Sequence, residues 1–262
     1  TTVFYFAPEG TYAHNPLQGS QYYEFKTMVN ELHNRGFSVI LDVVYNHVGW
    51  PNIFSMLDRK YYFRLNDDFT FSNFSGCGND VRTEAPMMRR LIIDNLLFWI
   101  EEMHVDGFRF DLSELIDMDT MRAIDQAIRA KHPDVHLIAE PWSYRGENKH
   151  ELTGTGWSAW NNDFRYASKD FIQGRHNRDW LKKCIFGSLN TWAATPLQPV
   201  NYLESHDDMA LVDEITSHPD KTGKILIAED IAANRLGAAI LFTSLGIPMI
   251  GEGQEFLRHK EG

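Results

Sequence analysis

The chain has 262 residues, 43% of them hydrophobic, enough to fill one large α/β domain or two smaller ones. A formal charge of −11 argues against a nucleic-acid or anionic-membrane partner, because both need clustered Lys and Arg; it fits a neutral substrate, or serves solubility alone. Cys77 and Cys184 show neither metal spacing nor a disulfide framework. No stretch approaches the ~18 apolar residues of a membrane span, and nothing resembles a signal peptide, so the compartment stays open.

Helical and strand patterns alternate, as a mostly parallel α/β fold requires. Tyr22–Arg35 places Phe25, Met28, Val29 and Leu32 at helical spacing, with Gly36 as its stop. The strand Ser38–Val44 is apolar on nearly every residue, which predicts burial on both faces. Pro51–Arg82 reads as a long irregular loop, rich in Asn, Asp, Ser, Gly and aromatics. A helix over roughly Ala85–His104 follows, with Pro86 in its first turn and an inward stripe of Met88, Leu91, Ile92, Asn95, Leu96, Trp99 and Met103.

Next come a strand at Gly107–Leu112, a helix near Asp119–Lys131 and a strand at Val135–Ala139. Ser143–Asn162 reads as a Gly- and Trp-bearing loop, with a weak strand signal near Trp160–Arg165. A helix and loop over Trp180–Thr195, a strand at Pro199–Leu203, a helix carrying Ile231, Leu236, Ala239, Ile240 and Phe242, and a strand at Ile247–Ile250 complete the series. Residues 1–262 thus read as one domain with fewer strand–helix units than the eight of a closed (β/α)8 (TIM) barrel.

Chemistry gathers where four apolar strands end in polar residues: Val39–His47, Asp106–Glu114, His136–Trp142 and Val200–Asp208. On an α/β barrel the loops after the strands form one open face, the place for catalytic groups. Alternation puts Arg109 and Asp111 on one side of their strand and Phe108 and Phe110 on the other. Arg109 would favour the ionised Asp111 that a nucleophile needs, although a structural Arg–Asp pair is an equal reading. Glu140, before Pro141 and Trp142, is expected in an apolar, aromatic-walled setting that favours a protonated acid. His206-Asp207 closes one strand, and Asp42 through Asn46 and His47 closes another. Each alone has a blander reading, as a cap, an ion pair or a structural histidine. Metal binding by His47 and His206 lacks a supporting spacing. Together the four strand ends offer Asp111, Glu140 and Asp207 for acid–base and covalent chemistry on a sugar.

These four strings resemble, in order, the motif regions of the alpha-amylase superfamily of retaining glycoside hydrolases. The resemblance implies Asp111 as nucleophile, Glu140 as general acid/base and Asp207 as transition-state stabiliser. Arg109, His47 and His206 would bind around the cleaved sugar, with Asp42, Asn46 and Trp142 as further substrate-binding residues. Phe6–Tyr12, Gly76–Asp80 and Ile250–Arg258 are similar to pullulanases, whereas Ala139-Glu140-Pro141-Trp142 looks more like isoamylases. The implied activity is cleavage of α-1,6 branch linkages in pullulan, glycogen or starch-type α-glucans. Alternatives are an α-1,4 hydrolase or transglycosylase of the same superfamily, or an inactive glucan-binding fragment. A metal-dependent hydrolase is more distant. No organic cofactor is implied; calcium occurs in relatives, but no ligand set is legible. The family's first two barrel strands and its C-terminal β-domain are expected to lie outside this chain, leaving an incomplete barrel.

Overall fold

The computed structural model describes residues 2–175, 177–189 and 191–261, which fall into two compact units. The first comprises Thr1–Glu151 with Thr155–Trp157, and the second Leu152–Gly154 with Ser158–Gly262.

In the first unit, α1 (Ser20–His33) leads into β1 (Ile40–Val43). The expected stop at Gly36 is real: its φ of +80° is a left-handed conformation that glycine adopts without steric cost. A helix α2 (Ile53–Tyr62), then the short antiparallel pair β2 (Phe63–Arg64) and β3 (Asp80–Val81), precede α3 (Pro86–Glu101). β4 (Gly107–Phe110), α4 (Met118–Arg129) and β5 (His136–Ala139) follow, and a small hairpin of β6 (Trp142–Ser143) and β7 (Gly146–Glu147) comes last.

β1, β4 and β5 form a parallel sheet with β4 in the middle. Gly107 is required there, since a Cβ would stand 2.6 Å from the His136 carbonyl oxygen. Phe108 and Phe110 are fully buried, as alternation demanded, and the Phe110 ring lies 4.8 Å from Trp157 and 5.6 Å from Tyr45. α3 buries Met88, Ile92, Leu96 and Trp99, each side chain stabilising the fold by about 1.5–3 kcal/mol. Asn95 sits in that apolar stripe because it is satisfied there. It accepts from the Tyr45 hydroxyl at 2.5 Å and donates to the Tyr5 carbonyl at 2.8 Å. The Asp117 side chain caps α4 by accepting from the Thr120 N–H at 2.9 Å.

Two expectations for this unit need correction. β1 is not buried on both faces: only Val43 is buried, and Ile40 is exposed. Among the described residues of the unit β1 pairs with β4 alone, so an edge position leaves one side open. Pro51–Arg82 is not all loop, because it contains α2. Asn52 caps that helix by accepting from the Ser55 N–H, and a non-helical Asp58 kinks it, breaking the apolar period.

In the second unit, β9 (Pro199–Asn201) pairs in parallel with both β8 (Ser158–Trp160) and β10 (Ile247–Pro248). Its helices are α5 (Asn162–Ile172), α6 (Arg178–Ile185), α7 (Leu211–Ile215) and α8 (Ala228–Thr243). Phe164, Ala167, Leu181, Leu203, Leu211, Ile240 and Leu241 form its core. The weak strand signal at Trp160–Arg165 is a strand end followed by a helix start, with Asn161 accepting from the Phe164 N–H. On α8, Ile240 is buried but Leu236 and Phe242 are exposed, so the expected stripe is only partly inward. The loop expected before β9 includes Asn190, which lies outside the described residues. Among the described residues no helix is long and apolar enough to cross a membrane.

Candidate active site

Strand register builds the site in the first unit. Asp42 on β1 stands opposite Arg109 on β4, and Arg109 stands opposite Ile138 on β5. The ladder runs on past the strand ends, with the Asp111 N–H donating to the Val43 carbonyl and the Glu140 N–H to the Phe110 carbonyl, each at 3.0 Å. Asp111 and Glu140 therefore occupy the next register position of neighbouring strands. Their side chains leave on the same side as Arg109.

Arg109 binds all three carboxylates. Its Nη1 lies 2.9 Å from Asp42 and 3.1 Å from Asp111, and its Nη2 lies 2.8 Å from Glu140. Burial opposes the guanidinium charge, but Glu140, Asp42 and Asp111 outweigh it and hold Arg109 above its usual value. Glu140 is buried, and one of its oxygens also accepts from the Leu112 N–H at 2.8 Å. Its setting thus includes a guanidinium and a backbone donor that the residues around it in sequence did not announce. The reason is that Arg109 on β4 reaches the strand beyond it.

Asn46 and His47 complete this group. Asn46 Nδ2 donates to the Asp111 side chain at 2.9 Å and to its carbonyl at 2.7 Å. His47 Nδ1 meets Asn46 Oδ1 at 2.5 Å, so Nδ1 carries the proton and Nε2 is left as a buried acceptor with no partner. Asn79 grips the next residue on both sides, accepting from the Val48 N–H at 3.0 Å and donating to the Val48 carbonyl at 2.9 Å. Asp80 ties down its own loop through Ser72, Phe74 and Ser75. The string Gly76–Asp80 had pointed to this region without showing that it positions His47. Trp142 is half-buried at the start of β6, its N–H donating to the Glu140 carbonyl at 3.0 Å.

Burial pushes the His47 imidazole below its ordinary value of 6.5, and Asp111 opposes this only in part. The folded state then binds this proton less readily than the unfolded chain. Its stabilising contribution is complete above pH 6.5 and is lost as pH falls through the depressed folded value. The thermal midpoint should accordingly drop more between pH 7 and pH 5 in the parent than in His47→Gln (pH values of about the ordinary imidazole range). Equal slopes would contradict the assignment.

In the second unit, Asp207 and His206 lie on the loop after β9, both exposed, with His206 Nε2 3.4 Å from an Asp207 oxygen. The His206 ring packs edge-on to Trp160 at 6.0 Å. Lys260 Nζ lies within hydrogen-bond distance of the carbonyls of Ser205, His206, Asp207 and Asp208, which share its three N–H groups. Among the described residues no three His, Cys, Asp or Glu side chains are grouped as metal ligands. A cavity in the first unit, about 590 Å³ and lined by residues including Phe4, Tyr5, Phe25, Leu41 and Trp99, shares only Asp42 with the carboxylate cluster.

No protein-family model matches the chain. It is 33% identical over 287 residues to a pullulanase of Bacillus subtilis strain 168, taking in 99% of this chain and 39% of that protein. It is also 33% identical over 256 residues to the chloroplastic isoamylase 3 of Oryza sativa subsp. japonica, across 86% of this chain and 32% of that one. The chain thus spans about two-fifths or less of the length of these curated relatives. Among solved structures, pullulanase type I from Bacillus subtilis str. 168, complexed with maltose, superposes with a TM-score of 0.91 at 32% identity, over 100% of this chain and 40% of that chain. One residue in three kept along almost the whole chain, on so similar a backbone, places the chain in the alpha-amylase family, within its pullulanase and isoamylase branch.

Proposed function

We propose that the chain carries catalytic machinery of a retaining glycoside hydrolase that cleaves α-1,6 branch linkages in pullulan, glycogen or starch-type α-glucans. The observation that carries this reading is the pair Asp111 and Glu140, at one register position of adjacent strands and bound to neighbouring nitrogens of one guanidinium. Adjacent strands run about 4.8 Å apart. Retention calls for carboxyl groups about 5–5.5 Å apart, whereas inversion needs a wider gap for water. The relatives' names, and the maltose bound to a pullulanase of the same backbone, support the substrate class. We further propose that residues 1–262 make up one partial (β/α)8 barrel domain, on the alternation of parallel strands and helices in each unit.

In this scheme an Asp111 oxygen attacks the anomeric carbon as the bond to the departing sugar oxygen breaks, and Glu140 gives that oxygen its proton. Glu140 then takes a proton from water, whose oxygen attacks the same carbon and releases Asp111. Arg109 keeps Asp111 ionised before attack, and Asn46 aims its second oxygen. His47 Nε2 accepts a sugar hydroxyl, while Asp42 and Trp142 bind nearby substrate. Asp207 stabilises the oxocarbenium-like transition state, with His206 as its binding partner. The scheme uses no cofactor.

Glu140→Gln tests the acid directly. It should lower hydrolysis of pullulan by about 10²–10⁴-fold. An α-glucosyl fluoride, whose leaving group needs no proton, should still form the glycosyl-enzyme at nearly the parent rate. Equal loss on both substrates would remove Glu140 from the acid role.

A further inference from the structure

The loop that follows β9 is held by a cation from the far end of the second unit. We infer that Lys260 is a positioning residue for Asp207 and His206, a step that rests on the proposed role of that loop in glycoside cleavage. Its Nζ stands 2.9 Å from the carbonyls of Ser205 and His206, 3.0 Å from that of Asp208 and 3.2 Å from that of Asp207. Four consecutive carbonyls turned to one point make a cradle for a cation, and the tethered ammonium fills it.

Such a turn does not form by itself. Carbonyls aligned on one side repel one another, and Asp208 takes φ +55°, a left-handed conformation that a non-glycine residue enters at some cost. The charge of Lys260 offsets both. Its own placement is fixed in turn, because its backbone N–H donates to Asp213 at 2.8 Å, and the same carboxylate accepts from the Ala210 N–H at 3.1 Å. Glu204, buried just before the loop, accepts from the Leu211 N–H at 2.5 Å, and Arg165 holds the Asp208 side chain at 3.2 Å. Every clamp falls outside the Asp207 carboxylate, which Lys260 leaves exposed to a substrate. Lys260 thus acts on the backbone that aims Asp207, not on the reacting atoms.

The test compares the full chain with Lys260→Met, close in length but neutral, and Lys260→Arg. Hydrogen exchange across residues 205–210 should quicken at least tenfold in Lys260→Met and by much less in Lys260→Arg, with exchange in β4 and α3 unchanged. On pullulan, kcat should fall at least tenfold in Lys260→Met with KM within twofold, and Lys260→Arg should recover part of it. Unchanged exchange in the loop would overturn the brace. Faster exchange with parental kcat would overturn its positioning role. If the parent itself leaves pullulan intact, the functional reading fails, while loop exchange still decides whether Lys260 is the brace.

Discussion

Asp111→Asn is expected to reduce turnover of an α-1,6-linked glucan by about ten-thousand-fold or more, the scale of losing a nucleophile. Its effect on folding should be small, and the contacts say why. The amide oxygen can keep Arg109 Nη1 at its 3.1 Å position, and Asn46 retains its 2.7 Å bond to the residue 111 carbonyl while losing its 2.9 Å bond to the side chain. Arg109 keeps Asp42 and Glu140, so no buried charge is orphaned. A neutral amide with nearly the same shape still cannot attack an anomeric carbon. A thermal midpoint within about 2 °C of the parent, a shift of under ~1 kcal/mol, should accompany the loss. Parental activity in Asp111→Asn would remove it from the nucleophile role.

Arg109→Met should do the reverse and damage the fold together with the chemistry. Arg109 and Glu140 side chains are only 6% and 4% exposed, so their pairing is a buried one. Deleting one member of such a pair leaves an uncompensated charge and costs about 3–5 kcal/mol. Asp111 and Asp42 lose the same partner, although Asp42 is half exposed and water replaces much of what it loses. The denaturation midpoint should fall accordingly, and activity should be lost even under conditions where the variant remains folded. Glu140→Gln in the Arg109→Met background should restore part of the stability, because it removes the stranded charge. An Arg109→Met midpoint matching the parent would show that the guanidinium does not hold the three carboxylates together.

The part of the site on β1, β4 and β5 was legible because alternation and strand ends are local properties. Gly107–Asp111 states in five residues which side chains are core and which face the site, and the structure keeps that division. What joins the strands was less visible. That Arg109 would reach Glu140 depends on β4 being central, a matter of strand order that no single segment encodes. β1 shows the opposite failure: an apolar run reads as buried on both faces whether or not a second neighbour pairs with it. α2 was hidden by Asp58, which breaks its periodicity, and by the surrounding Asn, Gly and aromatic residues. Lys260 was the hardest to see, because its partners are backbone carbonyls 52 to 55 residues away, and carbonyls carry no side-chain signature.

The measurement that tests the central claim most directly is product analysis after separate incubations with pullulan and linear amylose. The account predicts maltotriose from pullulan, released with its anomeric configuration retained, while amylose stays intact. Cleavage of amylose with pullulan untouched would contradict it.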